Sequence, residues 1–154
     1  MTVRPVPDGY HTVTAYLHVD DAKAAIAFYV QAFGAVEIMR LTMPDGRLGH
    51  AEIHVGDTRL MLADESPAFG IRGPRALGGA SAHFMIFAAD AAAAIGRAIA
   101  AGAKEVRPLQ DQFYGDRSGT VVDPFGHQWT LATHVEDVSV SEMQRRLDAL
   151  SSQS

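Results

Sequence analysis

The stretch from Thr12 to Gly34, TVTAYLHVDDAKAAIAFYVQAFG, decides the fold, because the chain then repeats its plan from Ala82 to Gly102 as AHFMIFAADAAAAIGRAIAAG. Thr12 to Val19 is rich in β-branched and aromatic residues and reads as a strand. Asp20-Asp21 can cap a following helix by accepting its unpaired backbone N–H groups. Ile26, Tyr29, Val30 and Phe33 recur at the spacing of one helical face, so the helix is expected from about Ala22 to Phe33, with Gly34 as its stop. In the second stretch Ala82 to Ala88 is the strand, Asp90 the cap, Ala91 to Ala101 an alanine-rich helix and Gly102 the stop.

Working outward, three strand-like stretches follow each helix. After the first they are Val36 to Met43, His50 to Val55 and Arg59 to Ala63, separated by Pro44-Asp45-Gly46 and Gly56-Asp57. After the second they are Val106 to Leu109, Gly119 to Val122 and Gln128 to Thr133. A shift of 69 residues lays Asp21 on Asp90, Ala25 on Ala94 and Ile26 on Ile95; a shift of 70 lays Gly56 on Gly126. The chain is therefore read as α+β, with two βαβββ modules over residues 10–66 and 81–135 and a glycine-rich linker over 67–80. One such module of roughly 50 residues is too small to bury both faces of its sheet, so the two copies are expected to pack together within one domain of residues 10–135. The linker's glycines allow pairing within a chain or an exchange of modules in a homodimer. Ser139 and Glu142 form a capping-box pattern, and Val140, Met143, Leu147 and Leu150 mark one face of a C-terminal helix over 139–151, expected to dock on the body or on a partner subunit.

The 154 residues are 47% hydrophobic and 20% charged, which fits one globular unit and excludes disordered and collagen-like classes. Thirteen Lys and Arg against 18 Asp and Glu give a net charge of −5, so no overall positive field attracts a nucleic acid. The absence of cysteine removes disulfides, thiolate metal sites and a cysteine nucleophile, and fits a reducing compartment. Met1 to Tyr10 lacks the apolar core of a secretory signal, and no run reaches membrane-spanning length, so a cytoplasmic location without membrane contact is expected. No phosphate-cradling glycine loop or serine nucleophile elbow is present.

Tyr16-Leu17-His18-Val19-Asp20-Asp21, Ala25-Ile26-Ala27-Phe28-Tyr29, Phe33-Gly34-Ala35 and Asp123-Pro124-Phe125-Gly126-His127-Gln128-Trp129 together resemble the vicinal oxygen chelate superfamily of glyoxalase, bleomycin resistance and dioxygenase proteins. His50-Ala51-Glu52-Ile53, Gly56-Asp57 and Met61-Leu62-Ala63-Asp64-Glu65 are similar to its PhnB-like branch. The resemblance implies a curved sheet around a cavity. In metal-using members it also implies a ligand near the start of each module's first strand and one in each last strand. Those positions are read as Thr14, His83, Leu60 and Thr130, so one strong ligand remains of four and a metal-free or weakly metal-binding cavity is expected.

His50, Glu52 and His54 alternate along one strand and share a face. They are read as a polar cavity wall or a solvated strand face, with an alternative in which His50 and His54, joined by His83 or Glu52, hold a divalent ion such as zinc, nickel, manganese or iron. The same alternation sends Tyr16, His18, His83, Met85, Phe87, Gln128 and Thr130 to the cavity, while Trp129 points to the core. Phe113 and Tyr114 are expected to cover the cavity mouth, Asp116, Arg117 and Asp123 to form a local ion-pair group, and His127 and His134 to lie on the surface. The resulting expectation is a homodimeric binder of a small organic molecule, sequestering a toxic or antibiotic compound. One alternative is a metal-dependent glyoxalase-like lyase or isomerase with Glu52 as general base; another is a structural or regulatory dimer without ligand.

Overall fold

The computed structural model describes residues 2–154. Its first half runs β1 (Tyr16–Val19), α1 (Ala22–Phe33), β2 (Val36–Thr42), β3 (Leu48–Val55) and β4 (Thr58–Asp64). A single 3-10 turn (Pro67–Phe69) and the short helix α2 (Pro74–Leu77) form the connection. The second half repeats the plan with β5 (His83–Phe87), α3 (Ala91–Ala101), β6 (Lys104–Asp111), β7 (Asp116–Val122) and β8 (Gln128–His134), and α4 (Val140–Ser151) follows. Each half makes one four-stranded sheet of mixed strands, in the orders β1-β4-β3-β2 and β5-β8-β7-β6.

The side chains that start the two helices explain why both halves fold alike. Asp21 accepts from Ala24 N at 3.0 Å and Asp90 from Ala93 N at 3.1 Å, each satisfying an amide that the helix leaves unpaired. The first amide of each helix is held from the last strand of its own module. Asp64 takes Ala22 N at 2.7 Å and Leu48 N at 2.7 Å, while Thr133 takes Ala91 N at 2.9 Å and donates to Ala88 O at 2.8 Å. The end of β4 or β8 is thereby pinned to the start of its module's helix.

Both helices cover one face of their sheets and pack on each other, so a single core spans the halves. Leu17, Ile53, Leu62, Val121 and Leu131 line it from the strands, and Phe28, Tyr29, Ile95 and Ala98 from the helices. Trp129 lies within it, 4.8 Å from the Phe33 ring and 5.4 Å from Tyr29. Gly119 lets α3 approach β7, since a Cβ there would meet Ile95 Cδ1 at 2.8 Å.

Several elements depart from the sequence reading. The first strand begins at Tyr16 rather than Thr12, because its ladder with β4 starts only where Ala15 O accepts from Met61 N. β6 extends four residues beyond the expected stretch, two at each end, despite Pro108; it is an edge strand, and its register breaks between Arg107 and Gln110. The ion-pair group expected of Asp116, Arg117 and Asp123 does not form. Arg117 pairs with Asp111 at 2.7 Å, and Asp116 meets His134 Nδ1 at 2.7 Å. Asp123 is instead buried and accepts from Tyr29 Oη at 2.7 Å, Trp129 Nε1 and Phe125 N at 2.9 Å, and His127 N at 3.0 Å. His127, expected on the surface, is 8% exposed and donates through Nε2 to His18 O at 3.0 Å. The turn around Asp123 thus closes against the first half.

Candidate functional site

The sheet faces opposite the helices are left open. On the first, the register sets Tyr16, Met61, Glu52 and Met39 in one cross-strand row, with His18 and His50 beside it. Tyr16 Oη lies 2.7 Å from His50 Nδ1, and His50 Nε2 lies 3.3 Å from Glu52 Oε2. A carboxylate only accepts, which places the imidazole hydrogen on Nε2 and leaves Nδ1 to accept from the phenol. The Tyr16 ring also stacks on His18 at 4.9 Å and 22°. A cavity of about 330 Å³ opens beside this group, lined by Tyr16, His18, Arg47, Asp64 and Glu65 among others. His54 stays on the same strand, opposite Val36, and does not reach that cavity.

Burial governs the titration here. It lowers the His18 pKa below the ordinary imidazole value, and the neighbouring His127 adds to the shift. His18 Nδ1 is buried without a hydrogen-bond partner among the described residues. Burial also raises the Tyr16 phenol above its ordinary value, so the protonated phenol is favoured at neutral pH.

On the second face the equivalent row reads Met85, Thr130, Thr120 and Arg107. The two threonine hydroxyls lie 2.8 Å apart. A smaller cavity of about 150 Å³ is bounded by this row together with Gln110, Gln112 and Tyr114. Phe87 stands exposed two residues along β5 from Met85, while His83 and Gln128 form the next paired position. Phe113 is not with them. It meets the Tyr114 ring edge-on at 5.1 Å but lines a separate hollow beside Arg146 and Leu150 of α4, and its carbonyl accepts from Arg146 at 3.0 Å.

The register corrects one ligand position. Tyr16 faces Met61 as Met85 faces Thr130, so the first module's counterpart of Thr130 is Met61, and Leu60 is buried toward α1. Counting from the turn glycine misplaced it because Met61 lies five residues after Gly56 whereas Thr130 lies four after Gly126. A thioether is no better than leucine as a ligand for a hard divalent ion. The four positions do not fit the family's metal centre. Among the described residues no three of His, Cys, Asp or Glu are grouped to hold an ion, and the set His50, His54 and His83 is not gathered within a chain.

Arg47, Arg107, Gln110, Gln112 and Thr120 escaped the sequence reading. Parity from Thr130 across to Thr120 was available; the irregular register of β6 hid Arg107.

Two βαβββ modules with paired helices and open, chemically furnished sheet faces define a class of protein whose common scaffold serves many small-molecule sites. The chain belongs to the Glyoxalase/Bleomycin resistance protein/Dioxygenase superfamily, whose model matches residues 10–131. An uncharacterized Mycobacterium tuberculosis protein, Rv0887c, is 43% identical over 140 residues, covering 89% of this chain and 82% of that one. The crystal structure of the Arabidopsis thaliana At5g48480 product is 28% identical with a TM-score of 0.66, covering 80% of this chain and 98% of its own. The PhnB protein of Bacillus cereus, 16% identical with a TM-score of 0.62 over 80% and 99% of the two chains, shares the fold. Among the described residues no helix is long and apolar enough to cross a membrane.

Proposed function

We propose that the chain is a homodimer that binds and sequesters a small organic molecule between the open sheet faces of two copies. The observation that carries this reading is the composition of those faces. Tyr16, Met85 and Phe87 remain 41%, 46% and 62% exposed, and around them stand imidazoles, hydroxyls, amides and carboxylates. Aromatic and thioether surface with a few convergent polar groups is the usual lining of a small-molecule site. A second copy completes the enclosure, since α1 and α3 occupy each other on the far side and leave the sheet faces uncovered by their own chain. A toxic or antibiotic compound is the ligand class that family membership favours.

A thermal-shift screen of antibiotics and metabolites, run with and without divalent ions and paired with light scattering, tests this. A ligand at about 100 times its Kd adds about 2.7 kcal/mol, equivalent to roughly 5–10 °C for a chain of this size. A monomer, or a dimer that no compound stabilises, overturns the reading; the latter is the behaviour of a purely structural dimer.

The hydrogen-bonded chain from Tyr16 through His50 to Glu52 favours a second reading, an acid–base enzyme of lyase or isomerase type. Tyr16 Oη is its exchanging atom, His50 takes up or returns the proton, and Glu52 steadies the imidazolium. Assayed on 2-oxoaldehyde thiol adducts, Glu52→Gln then abolishes turnover while binding persists.

A further inference from the structure

The two open faces are built from the same register but differ in charge. The cavity of the first module is bordered by Asp45, Asp64 and Glu65, and its one cation, Arg47, is already engaged by the Glu65 carbonyl. Among the described residues no carboxylate borders the cavity of the second. It carries Arg107, two glutamine amides and the threonine pair, in a chain whose net charge is −5. Among the described residues Arg107 has neither an ion-pair partner nor a hydrogen-bond acceptor, whereas Arg40, Arg117, Arg145 and Arg146 each hold a carboxylate. The cross-strand pairing of Arg107 with Thr120, and of Thr120 with Thr130, sets the guanidinium and the hydroxyls side by side on the open face.

We infer that the second module is the anion-binding half of the ligand site, where Arg107 takes the oxyanion head of an organic acid and the threonine hydroxyls and glutamine amides supply further hydrogen bonds. The inference rests on the small-molecule reading above and narrows its ligand to a molecule with an anionic end. A guanidinium presents paired N–H donors matched to the spacing of carboxylate or phosphonate oxygens. The cavity of about 150 Å³ admits such a head group but not a whole drug-sized molecule, so the rest of the ligand extends over Met85 and Phe87 toward the facing sheet.

The test is an NMR titration of the full chain with benzoate and with phenylphosphonate, using benzamide as the neutral match in shape. The same titrations are run on Arg107→Gln and Arg107→Lys, each first checked for an unchanged melting temperature. Saturable shifts of the Thr120 and Thr130 amides are expected with one or both anions below about 20 mM, the range in which fragments of this size bind. The stronger of the two tells a planar from a tetrahedral head group. Arg107→Gln weakens binding by about tenfold or more, and Arg107→Lys by less, because the charge stays while the paired donors are lost. Benzamide binding as tightly as benzoate, an unchanged affinity in Arg107→Gln, or no saturation by either anion overturns the inference. If neutral compounds still stabilise the dimer in the thermal screen, the anion assignment alone fails; if nothing binds, the small-molecule reading fails with it.

Discussion

Replacing Asp123 with asparagine is the sharpest test of how the two halves are joined. The carboxylate is 4% exposed, and four donors converge on it: Tyr29 Oη and Trp129 Nε1 at one oxygen, the amides of Phe125 and His127 at the other. Asparagine has the same shape but one oxygen and one amide NH2. If its oxygen stays with the backbone amides, the NH2 faces the indole N–H of Trp129, which can only donate. If it flips, the NH2 faces two backbone donors. Tyr29 alone can turn its hydroxyl to accept. One buried donor is thus orphaned at about 1–3 kcal/mol, and the remaining bonds lose their charge assistance, giving a loss of about 2–4 kcal/mol. For a chain of this size that is roughly 5–15 °C in Tm. Urea denaturation followed by Trp129 fluorescence, at one fixed protein concentration because the proposed self-association would add to stability, measures it. Tyr29→Phe removes one bond and leaves three, and its cost shrinks in the Asp123→Asn background because the bond it removes there has already lost its charge assistance. A loss below about 1 kcal/mol for Asp123→Asn, or strict additivity with Tyr29→Phe, refutes the reasoning.

Three further outcomes follow from the same geometry. Thr133→Val keeps the shape but removes the hydroxyl that joins Ala91 N to Ala88 O, so urea denaturation should report a loss of about 1–2 kcal/mol. Gly115→Ala combines a φ of +101° with a Cβ placed 2.1 Å from Glu136 O and is expected to cost at least about 2 kcal/mol; Gly46→Ala, at φ +89° with nothing within 4 Å, costs only about 1. His134 is raised above the ordinary imidazole value by its hydrogen bonds to Asp116 first and Asp137 second. Its contribution is therefore present below the unfolded value of about 6.5 and is lost as pH climbs through the folded one, so the stability gap between the native chain and His134→Gln narrows from pH 6 to pH 8.5.

Local signals made the scaffold legible. The Asp caps, the spacing of apolar residues over Ala22 to Phe33 and the glycine stops each carry their own backbone chemistry, and α1 and α3 fall where those signals place them. Alternation along β1, β3, β5 and β8 also sorted open-face from core residues, Trp129 among the latter. What escaped depends on contacts far apart in sequence. Asp123 reads locally as a turn residue, and only the arrival of Tyr29, 94 residues away, makes it a buried acceptor. His127 is buried for a similar reason, by the carbonyl of His18. Arg107 lies beside Pro108 in the stretch where β6 slips register, so strict alternation could not assign its face.

The contrast between what the modules share and what they do not bears on the ligand. Their shared chemistry is structural: Asp21 and Asp90 cap the helices, and Asp64 and Thr133 pin the last strands to them. Their open rows occupy matching positions yet diverge at every step, Tyr16 against Met85, Met61 against Thr130, Glu52 against Thr120 and Met39 against Arg107. A pair of faces whose only task was to adhere would need apolar surface at these places, and burying Arg107 without a partner would oppose that adhesion by several kcal/mol. On the proposed small-molecule reading the divergence gives a bound molecule two unlike ends, one meeting a hydrogen-bonded phenol, imidazole and carboxylate, the other a guanidinium beside paired hydroxyls. A ligand that fits has to be asymmetric in the same sense. The anionic end inferred above would avoid the Glu52 side by repulsion and be drawn to the Arg107 side, which would fix its direction in the site before any contact of shape is made.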